Sequence, residues 1–146
     1  MTVTTRPAGP DDGPFVVDCY LRAMRPSLTA WRGDWNERRE REQFEETLDV
    51  DRTTVISADG SDVGFVMIVE APRLLQLHTL CIAPEHQRRG IGGEVVRDLI
   101  AVGRQTGRDV MISVLKVNPR AEALYARLGF TVFEETAHHR LMRHTR

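Results

Sequence analysis

The chain has 146 residues, 41% of them hydrophobic and 28% charged, with a formal net charge of −1. These values fit one globular domain with a proper core and give no global field that would recruit nucleic acid. No apolar run approaches the roughly 18 residues of a membrane span, and no basic-then-apolar signal pattern opens the chain, so a soluble cytoplasmic protein is expected.

Lys116 is the only lysine among 20 basic residues, an arginine bias that suggests a GC-rich bacterial genome. Cys19 and Cys81 are too few for a disulfide framework and lie in apolar stretches, which predicts two reduced core thiols. Residues 3–6 predict a short first strand, ended by Pro7 to Pro10. Asp11 or Asp12 can cap a helix with Pro14 in its first turn and Phe15, Val16, Cys19, Tyr20, Ala23 and Met24 as its buried stripe. Residues 25–36 are expected to be irregular, yet they hold both tryptophans, Trp31 and Trp35.

Residues 37–48 predict a charge-rich helix with a solvated face and a favourable Glu37/Arg41 spacing. Residues 53–58 and 63–70 predict a hairpin around Asp59-Gly60-Ser61-Asp62, and residues 74–82 a further strand. Ala83-Pro84 breaks that strand, because Pro cannot donate to a ladder and restricts the residue before it. Gln87-Arg88-Arg89-Gly90-Ile91-Gly92 then runs into apolar positions at helical spacing: Ile91, Val95, Val96, Leu99 and Ile100.

A strand, a basic glycine-containing loop and a helix N-terminus together present unpaired N–H groups and the positive end of a helix dipole. That combination suits a phosphate or pyrophosphate. Gly90 and Gly92 allow close approach, and Arg88 and Arg89 add charge. The loop is not a Walker A motif, since no Lys follows its glycines. It is not a dinucleotide fingerprint either, since the third glycine at the required spacing is missing.

A β-branched strand at residues 110–117 follows, then Asn118-Pro119 and a helix over 120–128 with Ala121, Leu124, Tyr125 and Leu128 on one face and Gly129 as its stop. Residues 131–135 and 138–142 predict a last hairpin. The loop Q-x-x-G-x-G after a strand ending in Ala-Pro resembles the acyl-coenzyme A loop of the Gcn5-related N-acetyltransferase (GNAT) superfamily. The second segment, with Asn118, Ala121, Tyr125, Gly129 and Phe130, is similar to that superfamily's following strand and helix, in the same order.

The order β-α-α-β-β-β-α-β-α-β-β implies an α/β (α+β) fold over residues 1–146. It is expected to be one domain with a mixed, mostly antiparallel, twisted sheet of about seven strands and helices on both faces. This agrees with the superfamily's acyl-CoA N-acyltransferase fold.

The resemblance implies an N-acetyltransferase that moves the acetyl group of acetyl-CoA, its co-substrate, to a primary amine of a small molecule by direct attack. Such chemistry needs a neutral amine, a stabilised oxyanion and a donor for the leaving thiolate. Deprotonating a lysine-like amine at pH 7 costs about 4.6 kcal/mol, whereas an α-amino group costs about 1.4, so a base matters most for alkylamines. His78 is the candidate base and shares a strand face with Gln76, Leu80 and Ile82. Its position matches a histidine of arylalkylamine-acetylating members. Gln76 stands where histone-acetylating members keep a glutamate. A half-buried structural histidine is the competing reading for His78, and Glu70 is the reserve base.

By the same resemblance Tyr125 donates to the coenzyme sulfur, the backbone of Leu80, Cys81 and Ile82 holds the oxyanion and pantetheine, and Gln87 to Gly92 hold the pyrophosphate. Asn118 bonds the coenzyme or pins the splay between two strands, and Ala121 belongs to the same coenzyme-binding segment. Trp31 and Trp35 are candidate walls for the amine, against a role stapling a loop to the core. No metal is expected, because His138, His139 and His144 have no carboxylate or Cys at a zinc spacing. Two alternatives remain: acetylation of a protein or peptide, and a non-catalytic acyl-CoA sensor. No nucleic-acid or membrane partner is expected, and the edge strands of the last hairpin suit a homodimer.

Overall fold

The computed structural model describes residues 1–145. Its elements are β1 (Val3–Pro7), α1 (Gly13–Arg32), α2 (Glu37–Thr47), β2 (Thr53–Ala58), β3 (Ser61–Ala71), β4 (Leu74–Ile82), α3 (Ile91–Thr106), β5 (Asp109–Leu115), α4 (Pro119–Arg127), β6 (Thr131–Glu135) and β7 (His139–His144). This is the order of helices and strands that the sequence predicts. The strands form one seven-stranded mixed sheet in the order β1-β2-β3-β4-β5-β7-β6. Ladders β1–β2, β2–β3, β5–β7 and β6–β7 are antiparallel. β4 and β5 run parallel from Leu74↔Asp109 to Leu77↔Ile112. A parallel pair needs a crossover, and α3 supplies it.

The chain divides into two compact units: Met1–Met67 with Thr79–Ile91, and Ile68–His78 with Gly92 onward. In the first unit, Val16, Val17, Cys19 and Leu21 of α1, Phe44 of α2, Phe65 and Met67 of β3, and Cys81 and Ala83 form a buried cluster. Tyr20 lies flat on Phe44, with ring centroids 3.9 Å apart and planes 9° from parallel. In the second unit, Val95, Val96, Leu99 and Ile100 of α3 are buried, as are Val110, Ile112 and Val114 of β5 and Met142 of β7. The helical spacing of α3 and the alternation of β5 account for both sets.

Four local expectations are corrected. Residues 25–32 are not irregular, because α1 continues through Pro26 to Arg32, and only residues 33–36 lie between the two helices without regular structure. An internal Pro costs about 3 kcal/mol. Burial of Leu28 beyond it offsets part of that, and the helix stops only at Gly33, whose φ is 84° and whose N–H donates to the Thr29 carbonyl. Asp12 stands at the α1 N-cap but does not cap it with its side chain. Its carboxylate instead accepts from both terminal nitrogens of Arg6 and from the Gly9 N–H at 2.7 Å, which hold its pKa down at about 2.

The β2–β3 turn is shorter than expected. Asp59 (φ 51°) and Gly60 (φ 86°) alone connect Ala58↔Ser61, the two-residue geometry that Asp-Gly favours. Finally, β5 spans Asp109–Leu115 and β7 spans His139–His144, each differing from the predicted span at both ends.

Candidate active site

The chain from Ile82 to Ile91 is the feature on which the site rests. A 3-10 turn, Pro84–His86, follows Ala83, and the Gln87 amide donates back to the Ile82 carbonyl at 2.9 Å. Gln87, Arg88, Arg89 and Gly90 are all exposed. Arg88 has φ 65° and Gly90 φ 80°, so two left-handed residues lie within three positions before α3 begins. A non-glycine residue held there costs of order 1–3 kcal/mol, a strain typical of ligand-binding loops. Where left- and right-handed residues alternate, successive N–H groups turn to one side and can cradle an anion, and Arg88 and Gly90 supply two left-handed positions for such a turn. Added to an α-helix N-terminus, this geometry fits a pyrophosphate.

Gly90 has open space where a Cβ would stand, so its glycine is required by backbone conformation and not by crowding. Arg89 contributes no carboxylate pair among the described residues and lies 3.1 Å from Nδ1 of His86. The loop is braced from its rear, where Glu85 binds Arg22 of α1, with Nη1 to Oε1 at 3.3 Å. That guanidinium holds the Glu85 carboxyl below the usual carboxylate pKa range.

Along β4 the side chains alternate as the two-residue period requires. Leu75, Leu77 and Cys81 are buried, His78 is exposed, and Gln76, Leu80 and Ile82 are half-buried on His78's face. His78 is thus more open than the half-buried structural histidine of the competing reading. Cys81 points into the core, where burial raises its thiol well above the ordinary range, and Cys19 rises to about 12 for the same reason. Burial of this kind suppresses the thiolate that a nucleophile requires.

Asn118 caps α4, its Oδ1 accepting from the Ala121 N–H at 3.2 Å. Tyr125, on the buried side of that helix with Ala121 half-buried beside it, is 6% exposed. Its ring meets Phe130 edge-on at 5.8 Å, and Phe130 in turn meets His144 at 5.5 Å. Glu70 lies near the end of β3, exposed, with its carboxylate 2.9 Å from Arg108 Nη1. An ion pair already engages the reserve base.

Trp31 and Trp35 each have a ring covered by a guanidinium: Arg32 lies 4.4 Å from Trp31's centroid and Arg25 5.1 Å from Trp35's. Trp35 also packs against the core cluster that contains Cys81. Two features escaped sequence reasoning. Glu40, within the run expected to be a solvated face, is only 2% exposed. Its Oε2 lies 2.9 Å from Arg39 Nη2 and 2.7 Å from Arg32 Nε, the latter without hydrogen-bond alignment. The signal was its spacing, one helical turn before Phe44 on the buried side of α2.

The second feature is Gly64, in the middle of β3. A Cβ there would collide with the Cys81 carbonyl and stand 3.1 Å from Ile82 Cα. An isolated glycine inside an apolar strand is the sequence sign of such an approach.

Residues 21–130 match the model of the acetyltransferase (GNAT) family, and the chain belongs to that family. No curated protein matches the chain at comparable significance. Among solved structures, the PaiA N-acetyltransferase of Thermoplasma acidophilum, determined in complex with coenzyme A, is 16% identical, with 100% of each chain covered and a TM-score of 0.77. PH1933 of Pyrococcus horikoshii OT3 is 15% identical over 99% of each chain, with a TM-score of 0.76. The ribosomal-protein-S18-alanine N-acetyltransferase of Escherichia coli is 20% identical, covering 97% of this chain and 92% of its own, with a TM-score of 0.72. At such identities the structures share the fold. Among the described residues no helix is long and apolar enough to cross a membrane, and no group of three metal-binding side chains occurs.

Proposed function

We propose that this chain is an acetyl-CoA-dependent N-acetyltransferase, one domain over residues 1–146, that acetylates a primary amine of a small molecule by direct attack. The observation that carries the reading is the left-handed pair Arg88 and Gly90 at the start of α3, in a chain of the GNAT family. The coenzyme A bound by the PaiA enzyme of Thermoplasma acidophilum supports the same co-substrate here.

In the proposed division of labour, the loop from Gln87 to Gly92 holds the pyrophosphate through backbone N–H groups, with Arg88 and Arg89 adding charge. Backbone of Leu80, Cys81 and Ile82 binds the pantetheine arm and the carbonyl oxygen as charge develops there. The β4–β5 register running through Leu77↔Ile112 leaves β4 continuing to Ile82, which suits this use of its last residues. His78, exposed on β4, takes the proton from the acceptor ammonium. The neutral nitrogen attacks the thioester carbonyl and the N–C bond forms; the nitrogen then gives up its second proton to solvent, and the C–S bond breaks as the tetrahedral species collapses. Tyr125 donates a proton or a strengthening hydrogen bond to the departing sulfur. A phenol is ordinarily a weaker acid than a thiol, so full transfer runs uphill and the hydrogen bond is the larger part of its effect.

Asn118 acts by fixing the start of α4 and so the direction of Tyr125, and Ala121 lies on the same helix turn. Trp31 and Trp35 stand as walls for the acceptor, with Arg25 and Arg32 stacked on them. The free, buried Cys19 and Cys81 support a reducing compartment, the cytoplasm.

The test is thiol release from acetyl-CoA by purified protein against arylalkylamines, polyamines, amino acids, aminoglycosides and short peptides. Release far above hydrolysis with a small amine is the expected result. Release with peptides alone would move the assignment to a protein substrate. Silence throughout, with acetyl-CoA still raising the melting temperature, would contradict catalysis and leave a sensor.

A further inference from the structure

α1 carries three arginines, Arg22, Arg25 and Arg32, and they are engaged differently. Arg22 pairs with Asp18 and Glu85, and Arg32 with Glu40. Arg25 is exposed and has no carboxylate within ion-pair distance among the described residues. Its guanidinium carbon instead lies over the Trp35 ring, 5.1 Å from the centroid. An indole face attracts and restrains a cation placed over it, and it takes up none of the guanidinium's N–H donors through a conventional hydrogen bond. A fork held this way is ready to pair bidentately with a carboxylate or a phosphate.

The position of this pair gives it a use. Trp35 is half-buried and packs on the core cluster of the first unit, and Met24, the neighbour of Arg25 in α1, packs on the same cluster. That cluster includes Cys81, whose backbone is proposed to hold the thioester carbonyl. The unpaired guanidinium, its indole and the end of β4 therefore belong to one packed body.

We infer that the acceptor is a small primary amine that also carries a carboxylate or a phosphate, and that Arg25, positioned by Trp35, selects it through that anionic group. The inference rests on the acetyltransferase reading and narrows its acceptor. A polyamine or an aminoglycoside would bring further ammonium groups against a guanidinium that no carboxylate neutralises. An amino acid offers one amine for transfer and one anion for the fork. Arg32 is not available in the same way: it lies over Trp31, but the buried Glu40 and Gln43 already engage it.

The experiment measures kcat and KM for acetyl transfer to matched acceptors: phenylalanine against phenylalaninamide, alanine against alaninamide, and phosphoethanolamine against ethanolamine. The amino-acid pairs test a carboxylate and the last pair a phosphate. The proteins are wild type, Arg25→Gln and Arg41→Gln, each with a melting curve. Arg41 of α2 is likewise exposed and without a carboxylate partner among the described residues, but it lies over no ring. Wild type is expected to prefer the anionic member of the carboxylate pairs, the phosphate pair or both by about 10- to 100-fold in kcat/KM, the span of a hydrogen bond to a charged group. Arg25→Gln is expected to melt like wild type and to bring that ratio to about one, chiefly through the KM of the anionic acceptor. Arg41→Gln is expected to keep the wild-type ratio. Transfer without preference for an anionic member, or to polyamines or aminoglycosides alone, overturns this inference and leaves the acetyltransferase reading standing. So does a folded Arg25→Gln that keeps the ratio, or an Arg41→Gln that loses it equally. Silence with these acceptors and with the wider amine panel overturns the acetyltransferase reading and this inference together.

Discussion

Replacing Gly64 with alanine adds one methyl group where the β3 backbone lies close against the end of β4. The new Cβ collides with the Cys81 carbonyl oxygen and stands 2.9 Å from Ile82 Cδ1 and 3.1 Å from Ile82 Cα. Carbon atoms rest at about 3.5–4.0 Å, so β3 or β4 must shift on the order of 1 Å. The obstacle is main chain, which cannot turn aside as a side chain can. Overpacking of this kind costs about 1–3 kcal/mol, and a rigid neighbour puts Gly64→Ala toward the upper end. Alanine gives back about 0.5–1 kcal/mol by restricting the unfolded chain.

The net loss of about 2 kcal/mol corresponds to a fall of roughly 6 °C in melting temperature for a chain of this size. The assay is thermal unfolding of Gly64→Ala beside Gly13→Ala. At Gly13 an added Cβ meets nothing within 4 Å, and unchanged or slightly raised stability is expected. Because the strand pushed aside is the one proposed to hold pantetheine, acetyl-CoA affinity should fall with stability in the Gly64 variant alone. Two variants that melt alike would refute the close approach of β3 to β4.

Three further outcomes are expected. Tyr125→Phe should lower kcat more than it weakens acetyl-CoA binding, since it removes a bond that strengthens as charge reaches the sulfur; unchanged turnover where chemistry limits the rate would remove Tyr125 from the mechanism. Glu40→Ala strands two guanidiniums beside a buried site, but Asp34 and Gln43 still engage them, so the loss lies near the low end of the roughly 3–5 kcal/mol for a broken buried pair, read by urea unfolding. At pH 8 a thiol at about 12 is ionised to only about one part in 10⁴, against about a quarter for an unperturbed cysteine, so native Cys19 should react with a disulfide reagent more than about 10³-fold slower than after denaturation; rapid native reaction would contradict its burial.

Strong periodicity made much of the fold legible. Ile91, Val95, Val96, Leu99 and Ile100 announce α3, and all five are buried. Asn118 followed by Pro119 fixes the start of α4, and the cap hydrogen bond to Ala121 is present. What sequence reasoning missed was decided by tertiary contact. Pro26 is a local stop signal, but the helix continues past it to bury Leu28, a gain invisible in the local pattern. Glu40 looks like one more solvated charge until Arg32, from another helix, closes on it. In the loop, the glycines were legible as freedom to approach a phosphate. The left-handed conformation of Arg88 was not, because no arginine advertises positive φ.

The most direct test of the proposed function is calorimetric titration of acetyl-CoA into wild type and Gly90→Asp, with melting curves of both. At Gly90 the aspartate has room, but it stands at φ 80° and would put a negative charge where the pyrophosphate is proposed to lie. Tight binding by wild type and none detectable by a folded Gly90→Asp is the expected result. Equal affinity in the two would contradict the assignment of this loop as the pyrophosphate site.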